Sequence, residues 1–420
     1  MQVNKLLANI VHINLNARGG SERLAVATMK ALLCYRQPIS FDLTIGQKPV
    51  LTELEKSYGP SLVSVLKRVR KIKKLDLMAD ICSKTDYDLT INTHGDLLPY
   101  FPAQNLHRCY SKDNYITYCH FPLAQYFIQT KDRSYSALLR KVSSFPSLNT
   151  NENFLLQLLE SYKNMIENST VLTNSKYSRD VIQKIFRIDA KIVYPPVDVE
   201  VFRNKVLFQV RSKSFSHKNK DLILVISRFN PTKKIENAIK VARLLKAQGI
   251  GSGMKIVGNL TKEGFAYFSY LKEMVKNYGL KDYVTFEVNV EFKKLLSLMQ
   301  KSKIYFHTLP GEPFGISTVE AMSAGLIPVV PDLGGHTEFV PQKYHFHTFQ
   351  DAVYRVSAGL AAPFSERVSL SNAVMRFSVR NYITEFQRIV DEIVSSRVSK
   401  TTRGKITMGL ETVRLQEENK

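Results

Sequence analysis

The sequence predicts an α/β protein made of two doubly wound, parallel-sheet domains. Short runs rich in β-branched residues alternate with longer amphipathic segments, as in parallel sheets covered by helices. This alternation occurs twice, and a proline-containing segment, residues 194–198, separates the two series. The length of 420 residues is also typical of two or three domains.

The first series predicts a domain over residues 1–200. It opens with a strand over Leu6–Leu15 and a helix over Ser21–Leu33. Between them, Gly19-Gly20 permits a tight turn where backbone approaches a ligand, and Ser21 is the predicted N-cap. Further strands of this domain are predicted over Leu89–Asn92, Tyr115–Tyr118 and Thr170–Thr173.

The second series predicts a domain over residues 201–368. A helix over residues 369–397 is expected to return to the first domain, and residues 398–420 are expected to be a basic tail. Ligands of doubly wound sheets lie beyond the carboxyl ends of the strands, so a cleft between the domains is the expected site. The second domain's predicted strands are Leu222–Ser227, Met254–Val257, Val284–Glu287, Ile304–His307 and Ile327–Val330, with helices over Ile235–Gln248 and Thr261–Tyr278.

Composition narrows the class of protein. The formal charge of +22 indicates an anionic partner: nucleic acid, an anionic membrane face or a phosphorylated substrate. Apolar runs such as Leu326–Pro331 are far shorter than the ~20 residues that cross a bilayer. The N-terminus reads directly into a strand, so no signal peptide is expected. Four scattered cysteines without a CxxC pair fit a reducing cytoplasm.

The most informative segment is residues 307–320, HTLPGEPFGISTVE, which follows a predicted strand and opens a helix that ends near Ala324. Backbone N–H groups at a helix start bind phosphates or sugar hydroxyls. Glu312 and Glu320 supply carboxylates that accept hydrogen bonds from hydroxyls. A lone glutamate here would be read as a surface turn residue, but the whole loop suits a sugar nucleotide.

Six segments in the same order resemble the retaining glycosyltransferases of family 4, which have the GT-B fold of two Rossmann-like domains facing across a cleft. The Glu-x7-Glu pair is the most diagnostic of them. The matching segments are Gly19–Arg23, Asn174–Ser178, Tyr194–Asp198, Ser227–Lys233, the pair Glu312 and Glu320, and Gly334-Gly335, which together span roughly residues 5–340.

The resemblance implies a role for each matching residue. Arg228 and Lys233 contact the donor diphosphate and stabilise it as the leaving group, so no metal is required. Glu320 holds the ribose hydroxyls of the donor. Glu312 holds the donor sugar together with the backbone of Phe314, Gly315 and Ile316, and Gly20 also belongs to the donor-binding set.

His120, directly after a predicted strand, matches a family histidine that bonds the donor sugar near the reacting carbon. A lone histidine is more often structural than catalytic. The expected catalytic set is nevertheless His120, Arg228, Lys233 and Glu312. No carboxylate stands out as a nucleophile, which agrees with the front-face reaction that the resemblance implies, in which the leaving diphosphate helps to deprotonate the acceptor. No cofactor is expected, and the nucleotide-sugar donor is a substrate.

A narrower resemblance points to mannose. Tyr118–Pro122, His307-Thr308 and Phe314–Ser317 look similar to the α-1,2-mannosyltransferases that extend dolichol-diphosphate oligosaccharides with GDP-mannose. This implies a hexose donor, GDP-mannose, and a lipid-linked glycan acceptor at the cytoplasmic membrane face. Pro313 departs from that subgroup, and its N-terminal membrane anchor is missing here, so a peripheral location is expected.

The charge is concentrated in Ser61–Leu75, where apolar residues recur at helical spacing. This pattern predicts a basic amphipathic helix that lies on an anionic membrane, or one that packs its apolar stripe on the first sheet; the two are compatible. The residues expected to contact the membrane are Lys67, Arg68, Arg70, Lys71, Lys73 and Lys74.

Two alternatives to the lipid-linked transferase stay open. A soluble UDP-sugar-dependent transferase that makes a storage or surface glycan predicts activity without lipid. A nucleic-acid-binding protein is suggested by charge alone, but the aromatic residues are not interleaved with Lys and Arg in any recognisable module. We therefore expect no nucleic-acid partner.

Overall fold

A computed structural model describes residues 5–17, 19–58, 64–74, 87–95, 111–130, 152–209 and 221–396. Its contacts divide the chain into two compact units. The first unit comprises Met1–Thr173, Val181–Val193 and Tyr382–Lys420, and the second comprises Asn174–Asp180 and Tyr194–Asn381.

Among the described residues, the first unit has a parallel sheet of seven strands in the order β3-β2-β1-β4-β5-β6-β7. Near the middle of this sheet, β5 is buried along its whole length, because parallel sheets are covered on both faces. The strands are β1 Leu6–His12, β2 Ile39–Ile45, β3 Ile72–Lys74, β4 Leu89–Asn92, β5 Tyr115–Cys119, β6 Thr170–Thr173 and β7 Lys191–Ile192.

Helices of the first unit are Gly20–Leu33, Leu51–Tyr58, Leu123–Thr130 and Glu152–Glu167, while Lys176–Phe186 begins in the second unit and ends in the first. Residues 379–396 are also helical. The part from Tyr382 onward belongs to the first unit. In that unit the Tyr382 hydroxyl lies 2.6 Å from Thr28 Oγ1, on the helix Gly20–Leu33.

The second unit has, in the described part of the chain, six parallel strands in the order β10-β9-β8-β11-β12-β13. They are β8 Leu222–Ile226, β9 Gly253–Gly258, β10 Val284–Val288, β11 Ser302–Phe306, β12 Ile327–Pro331 and β13 His345–Phe346. The helices are Val199–Phe202, Glu236–Ala247, Phe265–Asn277, Phe292–Lys301, Ile316–Ser323, Phe349–Ala361 and Phe364–Ala373.

The prediction of two parallel-sheet Rossmann-like domains is confirmed by these sheets. The domain boundaries differ from the predicted ones at 200 and 368: the second unit starts at Tyr194, and the chain returns to the first unit at Tyr382. Asn174–Asp180 also belongs to the second unit, although it lies within the predicted first domain. The predicted basic tail, 398–420, lies outside the described residues.

The predicted basic helix over Ser61–Leu75 is wrong in its described part. Only residues 64–66 are helical, and the chain then turns and pairs with β2 as the short strand β3. The cause is Asp42, a fully buried carboxylate of β2. Burial alone raises the pKa of Asp42, but the Arg70 guanidinium, at 2.8 Å through two nitrogens, holds it below its usual range. Lys73 contributes a further contact at 3.4 Å.

The six predicted membrane-contact residues therefore fall into two groups. Arg70 and Lys73 neutralise Asp42. The remaining four are exposed and make no ion pair with any described residue: Lys67, Arg68, Lys71 and Lys74. Their contact with a membrane stays a prediction. No helix within the described ranges has the length and apolar character needed to cross a bilayer.

Candidate active site

Three loops at the carboxyl edge of the second sheet carry the predicted donor-binding residues. Arg228 and Lys233 follow β8, Glu312 follows β11, and Gly334-Gly335 follows β12. Because β8, β11 and β12 are adjacent parallel strands, their carboxyl ends meet at one edge. The loop after β8 ends in a 3₁₀ turn, Pro231–Lys233, which the Asn230 side chain caps by accepting from the Thr232 amide at 3.0 Å.

Lys233 and Glu312 form an ion pair at this edge, with Nζ 2.7 Å from Oε2. Their side chains are 23% and 14% exposed, so water screens the pair only weakly. Burial by itself raises the pKa of Glu312, but the neighbouring Lys233 and His307 outweigh it and hold that pKa well below its usual range. Glu312 is therefore ionised at neutral pH. Thr308 joins the two loops by donating to the Lys233 carbonyl at 2.6 Å.

The glycine pair after β12 allows the Glu312 loop to pack at backbone distance. The Gly335 amide donates to the Glu312 carbonyl at 2.8 Å. A Cβ on Gly335 would lie 2.1 Å from the Pro313 carbonyl oxygen, and Gly334 has φ +130°, which favours glycine. The Pro313 carbonyl also accepts from Ser175 Oγ at 2.6 Å. The Glu312 loop is thus held from two sides.

The helix Ile316–Ser323 starts at this loop, with Gly315 at φ +96° as its N-cap residue. Its first amides have no acceptor within the helix and lie at the positive end of the helix dipole. Phe314 is 2% exposed and packs against other buried rings, so only its backbone is available to a ligand. Glu320 is 5% exposed, within the helix. Arg228, in contrast, is exposed and forms no ion pair with the described carboxylates.

Sequence reasoning assigned no role to three residues behind Glu312. Tyr305 Oη lies 2.9 Å from His307 Nδ1, and His307 Nε2 lies 3.6 Å from Glu312 Oε2. His336 is fully buried and donates from Nε2 to the Pro331 carbonyl at 2.7 Å, and burial lowers its pKa to about 3. The available signal was a polar residue at the carboxyl end of a strand, which His307 is.

In the first unit, the helix Gly20–Leu33 follows β1 and contains the predicted residue Gly20 at its first position. The predicted N-cap, Ser21, is wrong: Gly19 is the N-cap, and Ser21 Oγ donates to Glu22 at 2.9 Å. Glu22 also accepts from the Gly19 amide at 2.6 Å. Burial raises the pKa of Glu22, but the adjacent His12 outweighs burial and lowers it to about 2.

His120 follows β5 in the same unit, as predicted. Its Nε2 lies 3.0 Å from the Thr93 carbonyl oxygen, which only accepts, so Nε2 carries a proton. Burial lowers the pKa of His120 to about 4, and the imidazole is neutral at pH 7. Its two nitrogens are therefore distinct, and Nδ1 is an acceptor.

A metal site was not expected from the sequence. Within the ranges that the structure covers, no three His, Cys, Asp or Glu side chains are grouped so that they could hold a metal ion. That the reaction proceeds without metal stays a prediction, which rests on Arg228 and Lys233.

The segment that carries this site is similar to known proteins. The family of glycosyl transferases group 1 matches residues 208–356. An α-1,2-mannosyltransferase of Dictyostelium discoideum, "GDP-Man:Man(3)GlcNAc(2)-PP-Dol alpha-1,2-mannosyltransferase", is 23% identical over 57% of this chain and 50% of its own length. The protein of the same name from Mus musculus is 31% identical over 39% of this chain and 34% of its own length. The chain thus spans half or less of the length of these two relatives.

The fold has known counterparts over nearly the whole chain. The crystal structure of Anabaena HepE in complex with UDP matches with a TM-score of 0.64, covering 93% of this chain and 100% of that one at 15% identity. This likeness and the two parallel sheets establish the GT-B fold. Residues 208–356, which match the family of glycosyl transferases group 1, include Arg228, Lys233, Glu312 and Glu320.

Proposed function

We propose that this chain is a retaining mannosyltransferase that moves mannose from GDP-mannose to a dolichol-linked glycan at the cytoplasmic face of a membrane. The names of the curated relatives support the donor and the acceptor. The observation that carries the proposal is the Lys233–Glu312 pair, which places a cation and a carboxylate 2.7 Å apart beside a helix start.

The pair suits the charges of glycosyl transfer. The bond between the anomeric carbon and the diphosphate oxygen breaks, and the electron pair leaves with the diphosphate. Lys233 and Arg228 stabilise that growing negative charge, which is the larger part of the catalytic work. The acceptor hydroxyl forms the new bond and gives its proton to the leaving diphosphate. Glu312 and the amides of Gly315 and Ile316 hold the sugar during transfer.

His120, in the first unit, belongs to the expected catalytic set. Because Nε2 is engaged by the Thr93 carbonyl at 3.0 Å, Nδ1 is the atom that we assign to a sugar hydroxyl, as an acceptor. A neutral imidazole adds no positive charge at the reacting carbon, where the oxocarbenium-like transition state is itself positive.

Donor identity is tested first by thermal stabilisation with GDP, UDP, ADP and CMP. At 100 times its Kd a ligand adds about 2.7 kcal/mol, a rise in Tm of roughly 5–10 °C for a unit of this size. We expect GDP alone to stabilise the wild type, and Glu320→Ala to abolish the shift because the ribose hydroxyls lose their carboxylate.

Glu273→Ala is the matched control, because Glu273 is exposed and its ion pair within the described part of the chain is with Lys276, at 3.4 Å. It should keep the full GDP shift. Stabilisation by UDP instead of GDP would contradict mannose and favour the UDP-sugar alternative. No shift with any nucleotide would contradict the transferase itself.

The membrane contact is tested by changing Lys67, Arg68, Lys71 and Lys74 to glutamine together. Each cation near an anionic surface contributes about 1 kcal/mol, so vesicle affinity is expected to fall by up to about a thousandfold. Transfer to a water-soluble acceptor analogue should be unchanged. Arg70 and Lys73 stay in place, because removing them would leave Asp42 buried without its partners.

The matched control changes four exposed lysines of the second unit to glutamine: Lys272, Lys276, Lys293 and Lys294. The net charge falls equally, so a comparable loss of vesicle binding would show a general charge effect and contradict a local contact. Flotation with phosphatidylserine and phosphatidylcholine vesicles provides the measurement.

A further inference from the structure

A chain of polar groups leads from the interior of the second unit to the Glu312 carboxylate. Ser317 Oγ lies 2.8 Å from Tyr305 Oη, and Tyr305 Oη lies 2.9 Å from His307 Nδ1. The other ring nitrogen, His307 Nε2, lies 3.6 Å from Glu312 Oε2. Tyr305 is fully buried and His307 is 7% exposed, so water does not compete for these groups.

The charge of Glu312 decides the proton position on His307. Burial raises the pKa of the Tyr305 hydroxyl, which stays protonated and donates either to His307 Nδ1 or to Ser317 Oγ. Donation to Ser317 would put the imidazole proton on Nδ1 and direct the Nε2 lone pair at an ionised carboxylate. Donation to Nδ1 instead puts the proton on Nε2, facing Glu312. In a buried site the second arrangement is favoured electrostatically.

His307 Nε2 is buried and has no hydrogen-bond partner among the residues that the structure describes. At 3.6 Å it is beyond hydrogen-bond distance of Glu312, whose Oε2 is held by Lys233 at 2.7 Å. A shift of less than about 1 Å brings Nε2–H into range. The His307 imidazole is thus a second hydrogen-bond donor close to the Glu312 carboxylate, which is paired with the Lys233 ammonium.

We propose that His307 is a positioning residue, which takes over the Glu312 carboxylate when Lys233 turns to the donor diphosphate. This inference rests on the proposed function. A half-buried carboxylate that loses its paired cation is costly, and it would protonate or move. His307 keeps Glu312 ionised and aimed at the sugar hydroxyls, while Tyr305 keeps the proton of His307 on Nε2.

The first arm of the test uses ligand-free protein. Nitrogen-15 NMR of the histidine side chains reports which ring nitrogen carries the proton, and His307→Gln assigns the signal. We expect the Nε2–H form in the wild type and a mixture of both forms in Tyr305→Phe, which removes the donor to Nδ1. An Nδ1–H form in the wild type would overturn the inference.

The second arm is a double-mutant cycle with Glu312→Gln and His307→Ala. His307→Ala should lower kcat/KM for GDP-mannose by about 10- to 100-fold, the range for a hydrogen bond to a charged group. Affinity for GDP, which lacks the sugar, should change less than about twofold. If His307 acts through Glu312, the double variant loses no more than Glu312→Gln alone.

Other outcomes separate this inference from the proposed function. His307→Gln keeps an amide donor and should recover part of the activity lost in His307→Ala, whereas no recovery would overturn the positioning role. Additive losses, or an equal loss of GDP affinity in His307→Ala, overturn it as well. A wild type that binds no nucleotide sugar overturns the proposed function and this inference together.

Discussion

Replacing Lys233 with alanine is expected to lower kcat for sugar transfer by about two to three orders of magnitude, with little change in KM for the donor. A fixed cation that meets charge developed only in the transition state affects turnover rather than ground-state binding. The Lys233 side chain is 23% exposed and lies at the sheet edge, where its charge is weakly screened. Steady-state kinetics over a range of GDP-mannose concentrations up to saturation give both kcat and KM.

Two controls separate catalysis from simple charge loss. Lys276→Ala removes an equal charge from an exposed pair with Glu273 and should leave kcat unchanged. The double variant Lys233→Ala with Glu312→Gln removes both partners of this half-buried ion pair. If this double variant regained wild-type turnover, Lys233 would serve only to neutralise Glu312, and its role at the diphosphate would be contradicted.

Replacing Gly335 with alanine is expected to displace the Glu312 loop and abolish donor binding. The new Cβ would lie 2.1 Å from the Pro313 carbonyl oxygen and 2.9 Å from Phe314 Cα. Both are backbone atoms, so the loop itself must move. Overpacking of this kind costs about 3 kcal/mol, a fall in Tm of roughly 6–12 °C. We expect GDP to cause no rise in the Tm of this variant. We also expect no transfer activity at temperatures well below its lowered Tm.

Gly279→Ala is the comparison for Gly335→Ala. Gly279 has φ +65° with nothing within 4 Å of a new Cβ, so the substitution carries backbone strain but no collision. We expect a cost of about 1–2 kcal/mol and unchanged GDP binding. If both variants bound GDP equally well, the close approach at Gly335 would have no bearing on the donor site.

The strands of both sheets were predictable where the chain has short runs rich in β-branched residues. The predicted strands Leu89–Asn92 and Thr170–Thr173 coincide with β4 and β6. In contrast, β2 was missed, since its buried Asp42 places a charged residue in the middle of the run. The partners that make this carboxylate tolerable, Arg70 and Lys73, lie some thirty residues away and read locally as part of a helix.

In the site, too, features that depend on neighbouring residues in the sequence were predictable, and contacts between distant residues were not. One segment contains Glu312, Gly315 and Glu320. The spacing of these residues predicted its loop and the start of its helix. The pairing of Lys233 with Glu312 joins residues 79 positions apart and depends on β8 lying beside β11. The sequence placed His307 correctly at the end of a strand, but its hydrogen-bond partners could not be predicted from it.

The sequence by itself determined the fold class, the two strand–helix series and the loop and helix start that carry Glu312, because periodicity and motif spacing are local properties of the chain. Only the tertiary structure decided where the charges are neutralised. It paired the basic segment with Asp42 and the cation of Lys233 with Glu312, and it placed His307 behind that carboxylate. These outcomes depend on strand order and register, which bring together residues that no local pattern connects.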